Sequence, residues 1–126
     1  MIDTIPSQLT FELQAIAKFI SETKPSDQLA EMEESLFNAV GFSQRIGSLL
    51  NDAEYNYAVN RETSLIKLQG MEDETETTRK SKMDSWSASD KKLVSDLKNM
   101  KTNLRTLQMA LMMSIKSRRE EMQMNR

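Results

Sequence analysis

One stretch restricts the possible folds of this chain more than any other. Leu93, Leu97, Met100, Leu104, Leu107, Leu111 and Ser114 follow one another at spacings of 4, 3, 4, 3, 4 and 3. That 3.5-residue period places every one of them on one stripe of a helix and is the pattern of coiled-coil packing. A strand would need a period of two. Val94, Met112, Met113 and Ile115 broaden the stripe near its end. A helix over 90–123, capped by Ser89 or Asp90, cannot hide such a stripe alone and must pair with another helix.

A second seam lies upstream. Leu29, Met32, Leu36, Ala39, Ser43, Ile46, Leu50, Ala53 and Tyr57 repeat with the same 3-4 rhythm, weakest at Ser43. Phe37, Val40 and Leu49 widen this face. Ser26, after Pro25, is the natural N-cap, and Asp27 suits the positive end of the helix dipole. Gly41 and Gly47 each cost such a helix about 1 kcal/mol relative to Ala and mark either a break or a close neighbour. Gly70 is the stop, giving a helix or broken pair over 26–69. A first helix over 7–24 is capped by Thr4 or Ser7, with Pro6 tolerated in its first turn. Its apolar positions are Leu9, Leu13, Ile16 and Ile20, with Phe11, Ala15 and Phe19 as a second face, and Pro25 ends it. Residues 70–90 are rich in Ser and Thr, which compete for backbone hydrogen bonds, so they read as a polar, partly ordered connector.

The predicted architecture is therefore all-α and a single domain. Long antiparallel helices share a coiled-coil-like seam, preceded by a short N-terminal helix. Three glycines and two prolines leave too few turn residues for a β-rich fold. At 38 % hydrophobic residues the chain buries little per copy, so the seam Leu93, Leu97, Met100, Leu104, Leu107 and Leu111 is read as the contact of a homo-oligomer.

Composition narrows the chemistry. With no Cys and no His, Cys/His zinc sites, thiol chemistry and Ser-His catalysis are excluded. No Gly-rich phosphate loop is present. Glu72, Asp73, Glu74 and Glu76 cluster, but without the alternating oxygen ligands and central glycine of a calcium loop, so they read as a solvated connector. No pair of carboxylates sits in an apolar setting suited to acid–base work. The expectation is a protein that is not an enzyme and needs no metal or cofactor. No apolar run reaches membrane-spanning length and no leader is visible, which fits a cytoplasmic protein.

Charge is unevenly distributed. Residues 1–78 hold five Lys/Arg against fourteen Asp/Glu, a balance of −9, and residues 79–126 hold twelve against five, a balance of +7. Either the two stretches neutralise each other or the basic one meets an anion. Arg79, Lys80, Lys82, Lys91 and Lys92 surround Trp86, the only tryptophan. Cations neutralise phosphates and an interleaved ring stacks on a base, which is what binding of single-stranded DNA requires. The bland alternative is a solvated lysine face with Trp86 packed on the helices. Ten methionines, with Met109, Met112, Met113, Met122 and Met124 crowded near the end, fit either an adaptable partner face or an ordinary seam, and helical spacing favours the seam.

Lys80-Ser81-Lys82-Met83, the pair Asp90-Lys91 and the later Ile115-Lys116-Ser117-Arg118 resemble motifs of the UvsY family, recombination mediators of T-even-type phages. The resemblance spans residues 50–118. The order of features is similar too: a long helix with aromatic and basic residues, a polar connector, then a long amphipathic helix. It implies a closed, ring-like homo-oligomer that binds single-stranded DNA, loads a RecA-like recombinase and displaces single-strand-binding protein. The family's basic connector segment falls on Lys80, Lys82 and Lys91. A phage-encoded protein of this kind would work in the host cytoplasm. The rival reading is a helical module directed at proteins, either a structural coiled coil or a small phage inhibitor of a host factor.

Overall fold

The structure is a computed structural model that describes residues 7–70 and 75–124. Thr4, Pro6, Glu72, Asp73 and Glu74 therefore lie outside the described residues. Three helices follow in order: α1 (Ser7–Glu22), α2 (Leu29–Gln69) and α3 (Glu76–Met124). Among the described residues there is no strand, and no helix is long and apolar enough to cross a membrane.

Local chemistry accounts for the helix ends. At the close of α1 the Thr23 amide still donates to the Phe19 carbonyl at 2.9 Å, and Pro25 follows. Ser26 is not the cap of α2: it forms a turn just ahead, where the Gln28 amide donates to its Oγ at 3.2 Å, and Gln28 is the capping position, its carbonyl accepting the first helical bond from the Met32 amide at 3.1 Å. Gly41 and Gly47 do not break α2, which runs unbroken through both. At its far end the Gly70 amide donates to the Lys67 carbonyl at 3.3 Å, without the left-handed backbone that often makes glycine obligatory there.

The largest departure from the sequence reading is the start of α3. The helix begins at Glu76, inside the supposed connector, and not at Ser89 or Asp90. Thr75 is the cap: its Oγ1 accepts from the Thr78 amide at 3.1 Å, while the Arg79 amide donates to the Thr75 carbonyl at 3.0 Å. The hydroxyls that were expected to compete with the helix bond within it. Ser87 is buried and donates to the Met83 carbonyl one turn back at 2.9 Å. The 4-3 rhythm also continues upstream of Leu97 through Val94, Asp90, Ser87 and Met83, all buried or half-buried, with polar residues at Asp90 and Ser87.

The chain divides into two compact units. The first comprises residues 1–45 and 100–126 and joins α1, the start of α2 and the end of α3. Its core is Met32, Leu107, Leu111 and Ile115, with Phe19, Leu29 and Leu36 packed around them. Ile16, on α1, is fully buried as well. Phe19 meets Phe42 edge-to-face at 4.9 Å, a favourable aromatic geometry. On the same side of α2, Glu12 of α1 takes a two-pronged hydrogen bond from Arg45, one arm at 3.0 Å. The second unit, residues 46–99, pairs the rest of α2 with the start of α3. The two segments run antiparallel there, since Asn60 reaches Asp90 at 2.9 Å and Lys67 reaches Trp86. Its buried apolar residues are Ile46, Leu50, Ala53, Leu68 and Leu97.

Burial sorts the apolar stripes within the single chain. Phe11, Phe37 and Val40 do not widen a core face; they are exposed. Met109, Met112, Met113, Met122 and Met124 are exposed too, so the methionine-rich end lies at the surface of the single chain. Of the stripe read as a subunit contact, Leu97, Leu104, Leu107 and Leu111 are buried within the single chain, and Leu93 and Met100 are half-buried.

Candidate nucleic-acid interface

The six residues singled out as a DNA site all lie on α3, between Arg79 and Lys92. At 1.5 Å per residue they cover roughly 20 Å of helix. Being on one helix does not put them on one face. Successive residues turn by about 100°, so Trp86 and Lys91 point to different flanks.

Trp86 faces the end of α2. It shares a shallow cleft with Asn60, Thr63, Ser64, Lys67 and Asp90. The Lys67 ammonium sits 4.8 Å from the centre of its ring, within cation–π range. Trp86 is 40 % exposed, and its ring already holds a cation. Arg79 and Lys82 are half-buried against the same unit, and Lys80 is exposed.

Lys91 and Lys92 line a different cleft, of about 480 Å³, with Tyr57, Arg61, Asp84, Ser87, Ala88 and Ser95. Tyr57 and Arg61 lie one turn apart on α2. Arg61 Nη1 donates to the Tyr57 hydroxyl at 3.1 Å, which holds the guanidinium beside the ring. Lys92 also reaches Asp96, but at 3.7 Å between two exposed groups, a contact worth little. Three cations and a half-buried aromatic therefore line this cleft with one acid, Asp84, and Asp96 lies beside Lys92.

The sequence thus named half of this cleft. Lys91 and Lys92 were visible as part of a basic run. In the sequence Tyr57 reads as a seam position only, and Arg61 lies in the acidic stretch where it draws no attention. Its i, i+4 spacing from Tyr57 was the available signal.

The electrostatics of the unit are local. Residues 46–99 carry eight Lys/Arg and ten Asp/Glu, so this stretch has no net positive charge. An anion attracted here would be held by the cleft's own cations and not by a long-range field. Among the described residues, no group of three or more Asp or Glu side chains comes together in a way that could hold a metal ion. No family model, curated protein or solved structure matches the chain.

Proposed function

We propose that this protein is a non-catalytic binding protein for single-stranded DNA, acting as a recombination mediator, with the strand held in the Tyr57–Arg61–Lys91–Lys92 cleft. The observation that carries the reading is the convergence of three cations and one aromatic ring on that cleft, with one carboxylate, Asp84, in its lining. Such cations neutralise phosphates. Tyr57 offers a ring for stacking, which is indifferent to base identity. Lys80 lies on the same flank of α3, three turns before Lys91, and extends the track. Trp86 moves to a supporting role, with Lys67 on its ring.

One copy with so few cations binds weakly. Affinity then depends on several copies presenting clefts to one strand, so a homo-oligomer is part of the proposal. A stretched, protein-bound strand is a template on which a RecA-like recombinase nucleates as single-strand-binding protein leaves; that step rests on the resemblance to the UvsY family. Titration of fluorescent oligo-dT and an equal-length duplex at two salt concentrations tests the reading. Preference for the single strand, weakening with salt, is the expected result. No binding at low salt refutes it.

One observation favours the second reading, a protein-directed helical module. Phe37 and Met112 are exposed large apolar side chains on the three-helix unit, as a protein-binding face requires.

A further inference from the structure

The uncovered face of the three-helix unit has a definite build. Glu33 and Phe37 are one turn apart on α2, and Val40 continues their stripe. Met112, Lys116 and Arg119 form the matching stripe on α3. Glu33, Phe37, Met112, Lys116 and Arg119 line one groove of about 660 Å³. Phe37 is 79 % exposed and Met112 57 %. α1 does not cover them, because it packs on Phe42 and Arg45, the other flank of α2.

We propose that this face is the contact between two copies of the chain, related by a two-fold axis parallel to the helices. The argument is charge. Along the groove the α2 rim carries Glu33, with Glu34 exposed beside it, and the α3 rim carries Lys116 and Arg119 with one acid, Glu120, next to them, so that rim is net basic. Within one copy the two rims already meet at Glu33 and Arg119, 3.2 Å apart. The proposed axis lays α2 of each copy on α3 of the other and keeps the register. Glu33 then faces Arg119 of the second copy as well as its own, and opposite charges alternate around the junction. Phe37 and Met112 lie between the charged rims and are covered together. A face that is acidic on one helix and net basic on the other is complementary to itself under this operation, as a two-fold contact must be. An unrelated acidic or basic partner would match only one of its rims.

This inference rests on the oligomer included in the function proposed above and is independent of the DNA cleft, which lies in the other unit. Light scattering tests it. The wild type is expected to be a dimer or a multiple of one in the micromolar range, and Phe37→Glu, at a site open enough to leave the fold intact, is expected to be monomeric. Glu33→Lys with Glu34→Lys, and separately Lys116→Glu with Arg119→Glu, are each expected to be monomeric, with helical circular dichroism unchanged. Mixing these two double variants should restore a dimer containing one of each. A wild-type monomer overturns both the oligomer and this surface, and leaves the face to some other partner. A wild-type oligomer that persists in Phe37→Glu overturns this surface alone. Double variants that fail to pair with each other, although the wild type associates, overturn the charge argument.

Discussion

Leu111→Ala is the substitution that most sharply separates a seam closed within the chain from one closed between chains. Leu111 has no exposed surface and lies amid Met32, Leu107 and Ile115, with Phe19, Leu29 and Leu36 around them. Truncation removes three carbons' worth of burial and leaves a void hemmed in by three helices, so little of it can collapse. Buried Leu→Ala changes cost about 2–5 kcal/mol, and a site this enclosed belongs in the upper half, about 3–4 kcal/mol. Its neighbour Met112 is more than half exposed, and Met112→Ala should cost about 0.5 kcal/mol or less. The assay is urea unfolding followed by helical circular dichroism in a Phe37→Glu background at two protein concentrations. The large loss for Leu111→Ala should be the same at both. A loss below about 1 kcal/mol, or one that grows on dilution, would refute the assignment of this leucine to a core within one chain.

Gly47→Ala should stabilise the protein by about 1 kcal/mol, read as a higher urea midpoint, because Gly47 is inside α2 and an added Cβ meets nothing within 4 Å. The hydrogen bond from Arg45 holds the Glu12 carboxyl below its ordinary value of 4.5. A depressed carboxylate contributes stability that is present above its unfolded pKa and lost as pH falls through its folded one; Glu12→Gln should therefore cost up to about 1 kcal/mol at neutral pH and nothing at strongly acid pH, as measured by urea midpoints across that range. EDTA should leave the melting temperature unchanged, since no acidic cluster among the described residues is built to hold a metal.

Much of the fold was legible because apolar spacing reports directly on helix faces. Every position of the seam from Leu29 to Tyr57 is buried or half-buried, and Leu97, Leu104 and Leu111 are fully so. The start of α3 was not legible because its seam there is made of Met83, Ser87 and Asp90, and Ser87 resolves its polarity with a hydrogen bond inside the helix. The fate of Phe37 and Met112 was not legible either. An apolar residue one step off a seam is equally at home in a broad core or on a surface, and only the placement of α1 decides between them. The candidate site was half legible for a related reason. A run of lysines names a helix but not its flank, and Arg61 joins the cleft only because α2 lies antiparallel to α3 in that unit.

The most direct test of the DNA-binding claim is the salt dependence of oligo-dT affinity for wild type and for Arg61→Ala with Lys91→Ala and Lys92→Ala. If these three side chains hold phosphates, the variant should bind more weakly, and the slope of log K against log salt should flatten by about 2, at about 0.7 per lost contact. Trp86→Ala should leave that slope as it is in the wild type. A triple variant with unchanged affinity and slope would contradict the claim.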